Sequence, residues 1–235
     1  MIEIRYTIKL LSPLRIGTGI GKAAYLDNTI VRDNFGQPII PGSSLKGKVR
    51  ATATRLAEPL GFRVHSQSEK PNGCLSDGMT ICDICRIFGA AQVPGNLYFE
   101  NAVVSADIQK VIFQLDRERR DHQLTPRAAL SFGQNIRTNV AIDRRTHTSL
   151  ADHLFSTESV GSPVIFNGSI RSEKSMPVSL RDAALLVSAL QFIDHLGGGR
   201  GRGLGRCEIR VDDLLMDGAS KLDQLAVLLE SGEVK

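Results

Sequence analysis

The sequence predicts an α+β protein, and three observations indicate it. Apolar and polar residues alternate over the first ten positions, which is typical of a strand with one buried face. Two segments, one beginning near residue 44 and one near residue 180, carry apolar residues at helical spacing. The elements follow one another as strand, helix, strands, helix and strand, an order compatible with a ferredoxin-like βαββαβ sheet that carries insertions.

The first strand is predicted over residues 2–10. Its apolar positions are Ile2, Ile4, Tyr6, Ile8 and Leu10. β-Branched residues predict a second strand over residues 29–32, and a turn is expected at residues 34–36. Further strands are predicted over residues 97–104, 111–115, 164–170 and 207–211. The charged run at residues 116–121 indicates a solvated turn.

The first helix is predicted to begin at Ser43 or Ser44, either of which can act as its N-cap after a Pro/Gly turn. Its apolar stripe is Leu45, Val49, Ala53 and Leu56. Basic residues flank that stripe, and they are Lys46, Lys48, Arg50 and Arg55. The first turn therefore carries lysine and no acid, although a helix N-terminus favours negative charge.

A bound anion would resolve this conflict of charge. Free N–H groups at the helix start, the side chains of Lys46 and Lys48, and the close backbone approach that Gly42 allows together indicate a phosphate cradle. A solvated basic face is the alternative, and it is the commoner meaning of this pattern on an isolated helix. A net charge of +4 and a pI near 9.0 suit a polyanionic partner, although they are a mild signal alone.

The second helix is predicted to start at a capping box formed by Ser179 and Asp182. Its apolar stripe, ending at Gly197, is Leu186, Leu190, Ile193 and Leu196. Residues 197–206, GGGRGRGLGR, then place six glycines and three arginines ahead of the last strand. These arginines are Arg200, Arg202 and Arg206. Glycine allows close backbone approach and arginine offers paired donors, so an RNA backbone contact is favoured over a flexible linker.

Residues 58–95 lack a regular pattern and hold three of the four cysteines. An irregular insertion this long needs a cross-link, such as a bound metal ion, to hold its structure. Cys82 and Cys85 have the spacing that lets two thiolates reach one tetrahedral ion, and Cys74 with His65 can complete the set. Structural zinc is favoured over reduced thiols or a redox pair, because no thioredoxin-like pattern surrounds them. The alternatives to His65 are Asp77, Asp83 and a residue elsewhere in the chain.

Composition bounds the remaining classes of protein. No stretch approaches the length of a membrane span, and the first residues predict a strand and not a signal peptide. Four cysteines in 235 residues do not suggest a disulfide scaffold. We therefore expect a single domain over residues 1–235, a cytoplasmic location and no membrane partner.

Six motifs together resemble one family. They are LRIGTG (14–19), LDNTIVRD (26–33), PIIPGSSLKGKVR (38–50), CDICRIFG (82–89), VAIDRRTHT (140–148) and GGGRGRGLGR (197–206). On these motifs, which span nearly the whole chain, the sequence resembles the RAMP superfamily. Within it, the sequence is similar to the backbone subunit of type III CRISPR effector complexes, the Csm/Cmr group of the seventh Cas protein family.

This resemblance implies an RRM-like palm, a zinc-binding fingers insertion at residues 58–95 and a thumb hairpin at residues 134–165. It implies copies of the chain stacked as a filament along a guide RNA, beside other subunits of the complex, with thumbs that kink the guide–target duplex at regular intervals. The residues expected to contact RNA are Lys46, Lys48, Arg50, Arg137, Arg144, Arg145, Arg200 and Arg202. The thumb motif usually has glycine where this chain has His147, which leaves the local conformation open.

In catalytic members of the family a single aspartate is needed to cut target RNA, and Asp27 occupies that position, with Asp33 as the neighbouring alternative. A carboxylate that accepts the 2′-OH proton, or that shares Mg²⁺ or Mn²⁺ with the substrate phosphate, would promote in-line attack. One alternative function is the same scaffold without activity. Another is the superfamily's guide-processing endoribonuclease, which typically uses a histidine-based site and does not usually share the cysteine cluster or the GSSLKGKVR helix.

Overall fold

A computed structural model describes residues 1–19, 28–65, 74, 81–121, 134–172 and 178–231. Within these residues, one sheet has seven strands and a second has two, and every pair of neighbouring strands is antiparallel. The predicted α+β class is confirmed, and the antiparallel pairing is a finding of the structure.

Strand β1 (Ile2–Leu10) lies at the centre of the large sheet. It pairs with β7 (Ile165–Ser172) on one side and with β8 (Cys207–Met216) on the other. The alternation that predicted β1 is confirmed, because its even-numbered residues are buried and its odd-numbered residues from 3 to 9 are not.

Short strands complete the large sheet. They are β2 (Ile39–Ile40), β3 (Leu97–Phe99), β4 (Ala102–Val104) and β9 (Ala219–Ser220). The strand order is β2-β4-β7-β1-β8-β9, and β3 also pairs with β7. The single strand predicted over residues 97–104 is therefore two strands, interrupted at Glu100 and Asn101.

Five helices accompany the described strands. They are α1 (Gly42–Ala57), α2 (Asp83–Phe88), α3 (Ala106–Asp121), α4 (Leu180–Gln191) and α5 (Leu222–Ser231). Helix α1 packs against α4, and the buried faces of both helices share one core with β1. The predicted stripe of α1 is confirmed at Leu45, Val49 and Ala53, which are fully buried. None of the described helices has the length and apolar character needed to cross a bilayer.

The predicted serine cap of α1 is wrong. The helix begins at Gly42, and no side chain caps it from Pro41, the residue before. The N–H of Gly42 instead donates to Oδ1 of Asn101 at 2.9 Å. A Cβ on Gly42 would collide with the carbonyl oxygen of Phe99, so glycine is required where α1 meets the chain between β3 and β4.

Two further predictions are corrected. Residues 111–115 and 116–121, predicted as a strand and a turn, both lie in α3, because the apolar run is too short to distinguish a strand from a helix by itself. Helix α4 ends at Gln191 and not at Gly197. Ile193 is still buried, but it lies in the extended chain beyond the helix.

The predicted strand at residues 29–32 is not part of the large sheet. This segment forms isolated bridges, in which Ile30 pairs with Gly17 and Arg32 pairs with Pro38. The two-stranded sheet is a separate hairpin of β5 (Gln134–Ile142) and β6 (Ser149–Val160), called the hairpin below.

Candidate metal centre and nucleic-acid interface

Three cysteines and one histidine converge at the start of α2. Single donor atoms of His65, Cys74, Cys82 and Cys85, called the Cys/His cluster below, all lie within 4.8 Å of one another. Nδ1 of His65 is 3.1 Å from Sγ of Cys82 and 3.6 Å from the other two sulfurs. Ligand bonds of about 2.0 and 2.3 Å at tetrahedral angles give N···S separations of about 3.5 Å, so the donor set fits a tetrahedral ion.

The local fold orients these sulfurs. Cys82 is the N-cap of α2, and its Sγ accepts a hydrogen bond from the N–H of Cys85 at 3.4 Å. The N–H of Cys82 donates in turn to Sγ of Cys74, also at 3.4 Å. Asp83, an alternative ligand by sequence, is used elsewhere, because its carboxylate accepts from the N–H of Arg63 at 2.8 Å. Asp77 lies outside the described residues.

The three cysteines of the cluster are buried and His65 is half-buried, and burial raises the pKa of the Cys82 thiol to about 11. Arg50, expected to contact RNA, instead points at this region. Its guanidinium donates to the carbonyl of Gly89 at 2.8 Å and to Sγ of Cys85 at 3.7 Å. Residues such as Arg50, which contact a metal ligand without binding the ion, hold that ligand in its orientation.

An ion pair connects the cluster helix to the core. Arg86 on α2 donates to both carboxylate oxygens of Asp182, at 3.0 and 2.6 Å. Asp182 also forms the predicted capping box of α4 with Ser179, which is confirmed. Burial alone would raise the pKa of Asp182, but the hydrogen bonds from Arg86 and Ser179 outweigh it and lower this pKa below its ordinary value.

The start of α1 offers a different electrostatic environment. Its first turn holds no acid, as the sequence indicates. Lys46 and Lys48 are half-buried, and within the described residues neither ammonium group has a hydrogen bond or an ion pair. The N–H of Gly42 is already satisfied by Asn101, so two unpartnered lysines remain as the basic feature here.

The glycine-rich residues 197–206, called the glycine/arginine loop below, are folded onto the body of the protein. Gly205 donates to the carbonyl of Pro13 at 2.8 Å, and Gly198 donates to the carbonyl of Arg15 at 2.8 Å. Gly205 has a φ of +81°, and a Cβ there would collide with the carbonyl of Leu196. These glycines therefore hold a fixed shape.

The arginines of that loop face solvent. Arg200 and Arg202 lie in a single 3-10 turn, and both are exposed. Arg200 makes one long contact, 3.4 Å, to the carboxylate of Asp194. No partner for the guanidinium of Arg202 lies within the described part of the chain.

The hairpin extends its polar tip away from the core. Arg137, Arg144 and Arg145 are exposed, and none of their guanidinium groups has a partner among the described residues. At the tip, Oδ1 of Asp143 accepts from the N–H of Arg145 at 2.7 Å. His147 adopts a φ of 56°, a left-handed conformation that favours glycine.

Apolar side chains are also exposed on the hairpin. Val140 and Leu154 face each other across the two strands, and Ile142 lies nearer the tip. Ile136 and Leu150 are exposed as well, and five exposed apolar residues among unpartnered arginines are unusual on a surface without a partner.

The base of the hairpin is pinned to the segment 28–32. Glu158, which is 2% exposed, accepts from the N–H of Ile30 at 3.0 Å and forms an ion pair with Arg32. Asn28 donates to the carbonyl of Ser156 at 3.4 Å. Asp27, the expected catalytic residue, lies outside the described residues, directly before this pinned segment.

Asp33, the alternative catalytic residue, has a structural role in its turn. Its Oδ1 accepts from the N–H groups of Phe35 and Gln37, at 2.9 and 2.8 Å. This is the local capping typical of aspartate in turns.

Sequence reasoning missed Glu158 and Asn101. Glu158 binds residues 126 and 128 positions away, and Asn101 binds a residue 59 positions away. Neither lies in a local motif, so no signal in the sequence could have indicated them.

Comparisons with known proteins agree with this architecture. A family model described as "RAMP superfamily" matches residues 7–208. The protein named "CRISPR system Cms endoribonuclease Csm3" of Methanocaldococcus jannaschii is 28% identical over 191 residues, which cover 78% of this chain and 67% of that protein. The protein of the same name from Mycobacterium tuberculosis is 28% identical over 221 residues, which cover 87% of this chain and 84% of that protein.

A solved structure has the same fold. It is described as "Cryo-EM structure of the Type III-B Cmr-beta bound to cognate target RNA". The match has a TM-score of 0.58 at 15% identity, and it covers 89% of this chain and 96% of the other.

Proposed function

This chain belongs to the RAMP superfamily, and from that premise we propose that it is a backbone subunit of a type III CRISPR complex that binds guide RNA and cleaves complementary target RNA. The observation that carries the proposal is the set of cations without partners in the described chain, which lie on α1, at Arg202 of the glycine/arginine loop and on the hairpin. Buried or paired cations would have indicated structural roles, whereas these side chains are available to phosphate groups. The names of the two relatives support the same activity.

We assign three parts to this subunit. The palm is a ferredoxin-like, RRM-like sheet, which the order β4-β7-β1-β8 with α1 and α4 on one side supports. The fingers are the insertion at residues 58–95, and the thumb is the insertion at residues 134–165. Copies of the chain and other subunits of the complex are the proposed protein partners.

Zinc is the ion we propose for the Cys/His cluster. Three sulfurs and one imidazole nitrogen suit Zn²⁺, and all four ligands come from one insertion. The ion would be structural, since every donor belongs to the protein and the surrounding N–H groups point at the sulfurs.

The RNA contacts we propose fall into two groups. Phosphate binds at Lys46, Lys48, Arg200 and Arg202 on the palm and at Arg137, Arg144 and Arg145 on the thumb. The exposed pair Val140 and Leu154 would enter the stack of bases where the duplex is kinked, a use of apolar side chains known in nucleic-acid binding. Arg50 is left out of the set, because its guanidinium already has partners at Gly89 and Cys85.

Cleavage is assigned to Asp27. Its carboxylate would accept the proton of a 2′-OH whose oxygen attacks the adjacent phosphorus, while the bond to the 5′ oxygen breaks. The segment that follows it, residues 28–32, is held in place by Glu158. Asp33 is less suited, since its oxygen is used by two N–H groups.

We propose that the cleavage reaction requires Mg²⁺ or Mn²⁺, but we assign no binding site to either ion. Within the described residues, the one group of donors close enough to hold an ion is the Cys/His cluster, whose sulfurs do not suit these ions. No step is therefore derived from a divalent ion.

The test uses guide-loaded complexes and a labelled complementary RNA. Asp27→Ala is expected to abolish cutting at every site and to leave target binding within about twofold, because a carboxylate that acts only in the reaction adds little to the affinity for the target. Asp33→Ala is the matched control and should keep cutting. Unimpaired cutting by Asp27→Ala would overturn the assignment, and a wild-type complex that binds without cutting would identify an inactive scaffold. Cutting that survives a chelator would exclude the divalent ion.

A further inference from the structure

A cleft of about 280 Å³ lies between α1 and the chain that follows α4. We propose that it holds one nucleobase of the bound RNA, stacked on the ring of Phe192, with flanking phosphates on Lys48, Arg55 and Arg200. This inference rests on the proposed RNA-binding function and adds a site for a base to the phosphate contacts.

Phe192 is the aromatic element of this cleft. Its side chain is 68% exposed, although it directly follows a core helix. Its backbone is fixed, because its N–H donates to the carbonyl of Ser188 at 3.0 Å and the next residue, Ile193, is buried. Among the described residues, Phe35 and Tyr98 are the other exposed aromatics, and neither lines this basic cleft.

One face of α1 supplies the opposite wall. Lys48, Thr52 and Arg55 recur at helical spacing and line the cleft together. Nη2 of Arg55 is 3.4 Å from Oγ1 of Thr52, a weak contact that leaves most of its donors available. Arg200 enters from the glycine/arginine loop, steered by Asp194 at 3.4 Å. Three cations and one anion line the cleft, for a formal charge of 3 − 1 = +2.

An aromatic ring bordered by cations is the arrangement that binds single-stranded nucleic acid. The charge follows the backbone, and the ring stacks a base with little preference for its identity. The volume is just below the range of about 300–1,000 Å³ typical of small-molecule sites, so it suits one base and not a paired duplex.

The experiment exploits the absence of tryptophan from the chain. Phe192→Trp creates a single fluorophore in the cleft, and a stacked base should quench it when short single-stranded RNA is added to the full-length protein. Tyr98→Trp is the control, because Tyr98 alternates with Leu97 and Phe99, which pack against the core, and so points away from the helices. Its emission should not change.

Affinity gives the second readout. Phe192→Ala should weaken RNA binding about 5- to 150-fold without changing its salt dependence, since stacking releases no counterions. Arg55→Gln should lower the slope of log K against log salt by about 0.7. Both positions are solvent-accessible, and an unchanged melting temperature would show that each variant is folded.

The outcomes separate this inference from the proposed function. RNA binding by wild type, with no quenching in the Phe192→Trp variant and full affinity in Phe192→Ala, would overturn the base site and leave the function standing. No RNA binding by wild type would overturn the proposed function. The emission of Phe192→Trp without RNA is the last readout. If it is quenched or shifted as the protein concentration rises, Phe192 contacts another copy of the protein, and the proposal that the cleft holds a nucleobase is wrong.

Discussion

The Cys/His cluster and the hairpin use their polar side chains in opposite ways. Around the cluster, Arg50, Asp83 and Arg86 all have partners inside the chain, and the sulfurs are buried. On the hairpin, Arg137, Arg144 and Arg145 are exposed, and their guanidinium groups have no partner in the part of the chain that the structure describes.

This difference is the one expected between a structural joint and the RNA-binding surface that we propose. Buried polar groups must find partners within the protein, because leaving them unsatisfied is costly. Exposed cations without partners cost little and remain available to phosphate. Arginines are paired in one region and have no described partner in the other, and the basic residues of the first helix show the same contrast, with Arg50 turned to the cluster and Lys46 without a described partner.

The largest expected effect comes from removing the metal ligands. Cys82→Ser with Cys85→Ser should reduce zinc from about one per chain to none and should lower the melting temperature strongly, because zinc binding in small sites contributes about 10–16 kcal/mol. Metal analysis and thermal unfolding measure the two effects. Cys207→Ser, a buried cysteine outside the cluster, is the control and should keep its zinc. Wild-type protein without zinc would contradict the assignment.

Substitutions of the hairpin arginines should lower the affinity for RNA and leave the stability of the protein unchanged. Replacing Arg137, Arg144 and Arg145 with glutamine should lower the salt slope of single-stranded RNA binding by about 2, which is about 50-fold in affinity at 0.15 M salt. Filter binding at several salt concentrations measures it.

The matched control removes three arginines that have acidic partners on the open face of the sheet. They are Arg5, Arg171 and Arg210. Net charge falls equally in both triple variants, so equal losses of affinity would show that only overall charge matters and that the hairpin is not the contact surface.

The ion pair between Arg86 on α2 and Asp182 on α4 should affect the stability of the protein and not its affinity for RNA. Arg86→Ala should cost about 2 kcal/mol of unfolding free energy, because it removes two hydrogen bonds to the buried carboxylate of Asp182. Calorimetry should show a lower melting temperature by about 4–8 °C. Arg171→Ala, which breaks an exposed ion pair, should cost less than about 1 kcal/mol.

The same link should depend on pH. The folded-state pKa of Asp182 lies below its ordinary value of 3.8, so its contribution is complete above that value and is lost as the pH falls through the lower folded-state pKa. The difference in stability between wild type and Arg86→Ala should therefore be constant at neutral pH and shrink below about pH 4. A difference that instead shrinks at alkaline pH would exclude Asp182 as the partner.

Local patterns predicted what local forces determine. The alternation of β1, the stripe of α1 and the CxxC spacing each lie within a few residues, and the structure places them as the sequence indicates. Contacts between distant residues left no such signal. Asn101 supplies the partner that the serines were expected to supply, and Glu158 pins a segment more than 120 positions earlier. The charge pattern around Arg50 cannot show which way its side chain turns, and the structure places its guanidinium beside Gly89 and Cys85.

His147 gives the smallest expected effect and the finest test of the hairpin tip. Its φ of 56° is costly for a residue with a Cβ, and its N–H donates to the carbonyl of Asp143 at 2.8 Å. His147→Gly should relieve that strain in the folded state. Glycine also raises the conformational entropy of the unfolded chain, so the free energy of unfolding should increase by only about 0.5 kcal/mol. Slower hydrogen exchange of this N–H would measure it. His147→Ala keeps the strain and should show no gain in stability.

RNA affinity should be unchanged in both His147 variants, because the contact surface is assigned to the neighbouring arginines. An equal loss of affinity in both would show that the imidazole itself contacts RNA, whereas a loss in the glycine variant alone would show that RNA binding depends on a rigid turn.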